Sequence, residues 1–217
     1  STYWSSANVN TILESVENPE GKNATYNICA AATTSVHYFE RVGYAGVLND
    51  FYTFSLFAKA GASDFVQIAT STGFQSKYQN FNLSNGTIGE GDAVSYGYDA
   101  SITPFGNNGW YRIFLTAQAT TSANARFLVI PILTDIAARN PPFTGDGTSG
   151  FYMWGAQVEQ DATYPTSYIP TYGVSQTRLG DVCGGAGDAE TFNDNEGVLY
   201  AEISVLANDG TFRNISV

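Results

Sequence analysis

The chain has 217 residues, 43% hydrophobic and 13% charged, with a formal net charge of −11. That apolar content supports a folded core and excludes a disordered chain. The acidic balance disfavours nucleic acid and anionic membrane surfaces, which need a basic patch, and no apolar run approaches the ~20 residues of a membrane-crossing helix.

Fourteen Tyr, fourteen Phe and 22 Gly, with abundant Thr, Ser, Asn and Val, point to β structure. Polarity then comes mainly from amides and hydroxyls, a finish common on extracellular and virion β proteins. Cys29 and Cys183 are too few and too far apart for a disulfide framework or a zinc site. Both are expected to be free and buried. The chain carries no signal-peptide pattern and no initiator Met, so it reads as an excerpt from a longer polypeptide.

In chain order, Val9, Ile12 and Leu13 suggest a first strand, and Asn18-Pro19-Glu20-Gly21 a turn. Strands are expected over 26–32 and 35–42. Segment 51–60 alternates cleanly, with Tyr52, Phe54, Leu56 and Ala58 against Thr53, Ser55, Phe57 and Lys59. Further strands fall at 65–71, 78–83, 93–102, 110–119 and 125–133. Asn85-Gly86 marks a hairpin and Asn107-Asn108-Gly109 a turn. Residues 135–139 suggest one short helical turn. Asn140-Pro141-Pro142 opens a loop into the stretch that organises the chain, 143–171. There a Gly/Asp/Thr turn leads into an aromatic strand, 151–159, which Pro165 and Pro170 bring to an end. Simple alternation puts Tyr152, Trp154, Ala156 and Val158 in the core and Phe151, Met153, Gly155, Gln157 and Glu159 on a mixed outer face.

Short strands between turn signals indicate an all-β antiparallel sandwich or barrel. Composition shifts after Thr171. Residues 173–196 read as a linker rich in Gly, Asp and Asn. Segments 197–205 and 211–217 read as the first strands of a second, truncated β domain or as a segment that pairs with a neighbouring chain.

Six blocks resemble a module of phage and prophage tail and fibre proteins: 52–61 (YTFSLFAKAG), 81–89 (FNLSNGTIG), 109–112 (GWYR), 144–150 (TGDGTSG), 154–159 (WGAQVE) and 166–171 (TSYIPT). The module is similar to carbohydrate-binding jelly-roll domains. In such proteins a concanavalin/laminin-G-like domain often follows, and Arg178, Asp181 and 196–202 (EGVLYAE) look like its opening. The resemblance implies a jelly-roll β-sandwich over 1–172. It also implies a structural or adhesive role as a tail-fibre, head-fibre or spike component on the virion surface. It names no sugar.

Catalysis is poorly supported. His37 is the only histidine, set among aromatics, and reads as a packed structural residue; there is no G-x-S-x-G elbow. The acids Glu90, Asp92, Asp146, Asp181, Asp188, Glu190, Asp194 and Glu196 fall in loops, in no pattern for glycoside cleavage. The chain is therefore expected not to be an enzyme and to need no cofactor. A structural calcium ion is the better use of such acids, with Asp146 near Thr148 as the candidate ligand, although Asp146-Gly147 equally supplies a tight turn. Sugar binding needs aromatic faces and planar polar groups. Ser55, Phe57 and Lys59, with Trp110, Arg112 and Phe114 and with Gln157 and Glu159, are expected to converge on one concave face. Lys59, Trp110, Arg112, Gln157 and Glu159 are the candidate ligand residues there. An ion pair of Arg112 or Lys59 with Glu159 is the structural alternative.

The expected function is thus a non-catalytic virion attachment protein with a glycan-binding module. It would act as a homo-oligomer, most simply a trimer, among other virion proteins, and would bind host-surface or environmental glycans through several weak sites. Two alternatives are a purely structural decoration protein and a carbohydrate-binding module of a secreted polysaccharide-degrading enzyme.

Overall fold

The structure is a computed structural model and describes residues 4–92, 99–122, 124–171, 174, 176 and 177. Among them the regular structure is entirely β. One six-stranded antiparallel sheet runs in the order β1 (Trp4–Ala7), β5 (Tyr38–Ala45), β12 (Asn124–Pro131), β7 (Phe65–Ser71), β8 (Tyr78–Asn82), β9 (Thr87–Gly91). The other runs β10 (Ala100–Phe105), β11 (Trp110–Gln118), β6 (Phe51–Lys59), β14 (Gly150–Gln160), β3 (Asn23–Ala30), β2 (Val9–Glu17). A two-stranded ribbon pairs β13 (Phe143–Thr144) with β4 (Thr34–Ser35).

The pairing is nested. β7 pairs with β8, β6 with β11, β5 with β12 and β3 with β14, and successive pairs fall in alternate sheets. A long hairpin rolled up in this way is a jelly-roll sandwich. On β6 its core is the set of inward residues that alternation predicts. Tyr52, Phe54, Leu56 and Ala58 of β6 and Ile113, Leu115 and Ala117 of β11 meet Val66, Ile68, Phe81, Phe127 and Val129 of the facing sheet. Phe54 stacks on Phe127 with ring centroids 5.1 Å apart. Each of the Val, Leu, Ile and Phe side chains buried there contributes about 1.5–3 kcal/mol.

Both outer faces are also covered. Ala69, Leu128, Ile130 and Ile132 form a second apolar cluster outside the first sheet, which is why 125–133 is apolar on both sides. Over it lies the loop that follows β12, fixed by buried amides. Asn80 Nδ2 donates to the carbonyls of Asp135 (3.1 Å) and Ala137 (2.7 Å). Gln67 Nε2 donates to Asn80 Oδ1 (2.7 Å) and to the Ala138 carbonyl (3.0 Å). The expected helical turn at 135–139 is therefore absent. Its carbonyls accept from side-chain amides, and the segment forms only a turn closed by Ala137 N–H to Thr134 O.

The face assignment of β14 needs correction. Phe151 and Met153 lie in the core, whereas Tyr152 and Trp154 face outward. Trp154 pairs with Phe57 and Gln157 with Ser55, so two residues of β14 oppose Leu56 alone. This is a β-bulge, and Gly155 occupies it at φ +60°. The extra residue resets the alternation. Ala156 and Val158 turn in to pack on the core, and Gln157 and Glu159 stay outside as expected.

Residues 4–170 belong to one compact unit, and residues 171–217 form another, of which four residues are described. The expected linker beyond 177 and the strands at 197–205 and 211–217 lie outside the described residues, as do 93–98 and Cys183. β10 itself begins at Ala100. Cys29 is a buried free thiol, and burial raises its pKa.

Candidate functional site

The outer face of β6, β11 and β14 carries residues in cross-strand rows. In register, Phe105, Trp110, Lys59, Tyr152 and Asn27 form one row. Arg112, Phe57 and Trp154 form the next, then Phe114, Ser55 and Gln157, then Thr116, Thr53 and Glu159. The sequence-predicted set thus shares one face. Two pieces of chain then cover parts of it.

The first cover is the segment 161–170, a strap that folds back over the last two rows. Thr53 Oγ1 donates to the Ala162 carbonyl (2.7 Å) and Thr116 Oγ1 to the Thr163 carbonyl (3.0 Å). Glu159 accepts from the backbone N–H (3.1 Å) and the hydroxyl of Thr166. Gln157 Oε1 accepts from Ile169 N–H at 2.9 Å, and its Nε2 donates to Ser167 O at 3.5 Å. Gln157 and Glu159, expected to hold a ligand, instead fasten the strap. The Pro165 and Pro170 stop signals mark where that strap runs.

The second cover is the end of the β2–β3 hairpin. Glu14 accepts from Asn27 Nδ2 (2.8 Å) and from the Tyr152 hydroxyl (3.0 Å). Beyond it the Glu17 carbonyl accepts the Trp110 indole N–H at 2.9 Å. Trp110 is 1% exposed, so it is closed off from any ligand, contrary to expectation. A hairpin at the far edge of the sheet curls over it, and local pattern at Trp110 carries no sign of that.

Between the two covers lies an aromatic and cationic platform. Phe57 is buried, ringed by Phe105 (4.8 Å between centroids), Trp154 (5.4 Å) and Tyr168 (6.2 Å), with Trp154 and Tyr168 4.7 Å apart. Phe105 is 42% exposed, and Trp154 and Tyr168 are half-buried. The Arg112 guanidinium carbon sits 5.4 Å from the centre of the Phe57 ring, a cation–π arrangement, and Nη2 donates to Ser55 Oγ at 3.0 Å. Burial lowers its pKa and the Glu159 carboxylate opposes that shift, but the two form no ion pair. Lys59 is half-buried, and among the described residues no hydrogen bond or ion pair occupies its ammonium. Of the expected ligand residues, Lys59 and Arg112 remain beside the open part of the face. Trp154, Tyr168 and Phe105 join them, and reading a bulge from Gly155 would have placed Trp154 there.

His37 is fully buried. Nδ1 lies 2.6 Å from the Asn8 carbonyl and Nε2 3.0 Å from the Phe143 carbonyl, so both ring nitrogens are committed to the fold. Asp146 builds a turn. Oδ1 accepts from the N–H groups of Thr148 (2.9 Å) and Ser149 (2.7 Å), Oδ2 from the Ser149 hydroxyl, and these bonds hold its carboxyl well below the usual carboxylate range. Among the described residues no group of three metal-ligating side chains assembles, at Asp146 or elsewhere.

No protein-family model matches the chain, and no curated protein does. Among the solved structures similar to it at low level are these two. One is the enzymatically active domain of bacteriophage CBA120 tailspike protein 4, 11% identical, with a TM-score of 0.37 over 73% of this chain and 19% of that one. The other is the mannan-recognising carbohydrate-binding module TmCBM27, 11% identical, with a TM-score of 0.35 over 73% of this chain and 86% of that one. The chain thus spans about a fifth of the tailspike domain's length.

Proposed function

We propose that the jelly-roll unit is a non-catalytic glycan-binding module, and that the platform of Phe105, Trp154, Tyr168, Lys59 and Arg112 is its binding face. The observation that carries this is the partly exposed ring cluster flanked by two cationic donors on an otherwise strapped sheet. Sugar rings offer C–H faces to aromatic rings and hydroxyls to planar or cationic donors. The commitment of His37 and Glu159 to backbone partners favours attachment over bond cleavage, since neither is free to act as a general acid or base. The resemblance of six sequence blocks to phage fibre proteins supports a place on the virion surface, in a homo-oligomer (a trimer most simply) among other virion proteins. Several such faces on one assembly raise avidity without new contacts.

A glycan array probed with the full chain and with Phe105→Ala and Lys59→Ala tests this. Binding of a defined glycan class, lost in both variants at unchanged thermal stability, is the expected result. An array on which the parent binds nothing, or on which both variants bind like the parent, overturns it and favours a purely structural role.

A further inference from the structure

A second concavity lies apart from the platform and shares no residue with it. It is a cleft of about 330 Å³ between the end of β3, the β6–β7 turn, the end of β12 and the turn after β13. Small-molecule sites begin at about 300 Å³, so this volume suits a single small ring rather than a chain. Phe65, Phe143, Pro131 and Leu133 supply apolar surface, and Leu133 stands 62% exposed beside the cleft. Asp64 and Asp146 supply two carboxylates, and among the described residues the lining holds no Lys, Arg or His.

The two acids differ. Asp146 is fixed by its own turn, whose bonds keep it ionised. Asp64 is half-buried, and among the described residues its carboxylate makes no hydrogen bond or ion pair; only its backbone carbonyl is used, by Leu83 N–H. The neighbouring Ser63 uses its backbone groups, with Gly61 and Gly150, and among the described residues its hydroxyl has no partner. Among the described residues the cleft is therefore lined by a carboxylate and a hydroxyl without partners, a second fixed negative charge and two phenylalanines, in a chain whose net charge is already −11. An anionic ligand is repelled there; a neutral sugar can donate its hydroxyls to Asp64, but only a cation offsets the summed charge of the two carboxylates.

We infer that this cleft is a second ligand site, and that it takes a protonated amino sugar. The ammonium group would meet Asp64, the ring hydroxyls Ser63, and the C–H face of the ring an aromatic wall. The inference does not depend on the platform.

Calorimetric titration of the full chain with glucosamine tests it, at about pH 6, where an amine of this type is protonated. N-acetylglucosamine and glucose serve as uncharged counterparts, and lysine amide as a cation without a sugar ring. The expected result is saturable glucosamine binding, about tenfold or more tighter than either uncharged sugar, weakened about tenfold by Asp64→Asn and by raised salt. Phe105→Ala should leave it unchanged, which separates this site from the platform. Equal binding of the uncharged sugars, an Asp64→Asn variant that binds like the parent, or lysine amide binding as tightly as glucosamine overturns the inference. A Ser63→Ala variant gives an independent reading if Asp64→Asn folds poorly, with a smaller loss expected for glucosamine.

Discussion

Gly155 decides which side of β14 faces the aromatic platform, so Gly155→Ala is the sharpest perturbation of the fold–site link. At φ +60° an alanine sits in the left-handed region, which costs about 1–2 kcal/mol. Alanine also restricts the unfolded chain, which returns about 0.4–1 kcal/mol. The new Cβ would stand 3.0 Å from Phe57 Cδ2, so the ring must yield by a few tenths of an ångström. That ring is packed under Phe105, Trp154 and Tyr168, which limits the retreat. The two backbone figures leave a loss of about 0–1.6 kcal/mol, and the displaced Phe57 ring adds to it, so the net expectation is a loss of about 1–2 kcal/mol. For a unit of this size it lowers the melting temperature by about 2–8 °C. Gly155→Asn, whose side chain tolerates the left-handed conformation, should lose less backbone energy for the same steric demand. Calorimetric melting of both variants, with Trp fluorescence to follow Trp154, measures this. A Gly155→Ala protein that melts with the parent would mean that the bulge is not held as described, and the outward position of Trp154 would fall with it.

Three other outcomes follow from the packing. Asn80→Ala strips partners from two carbonyls of the loop after β12 and from the Gln67 amide beneath it, and should lose about 2–4 kcal/mol in urea unfolding. Glu159→Ala releases the Thr166 end of the strap, so proteolysis should open 161–170 sooner while the core signal in near-UV dichroism persists. Asp146 has a depressed folded-state pKa. Its contribution is complete above the ordinary carboxylate value, about pH 4, and is lost as pH falls towards the folded value. Asp146→Asn should therefore flatten the acid side of a plot of melting temperature against pH.

Alternation carried most of what could be read from sequence. In β6 each residue falls on its expected side, and β7 has the expected ends, because a strand with one face in the core must keep a period of two. β14 broke the rule halfway through a single segment. One glycine at positive φ inverted the expected sides of Tyr152 and Trp154 while leaving Gln157 and Glu159 in place. Non-local covers were not legible. The end of β2 that hides Trp110 lies 93 residues away in sequence, and the backbone carbonyls that occupy Gln67 and Asn80 carry no residue-specific signal. Buried amides such as these read as surface until the loop above them is seen.

The most direct measurement is an NMR titration that follows the indole N–H signals of the three tryptophans during addition of a glycan selected on the array. The platform predicts a saturable shift of the Trp154 signal. Trp110, whose indole N–H is bonded to Glu17, should stay still, and so should Trp4, which is stacked on Phe39. A bound glycan that moves Trp110 or Trp4 and leaves Trp154 unchanged would contradict the account.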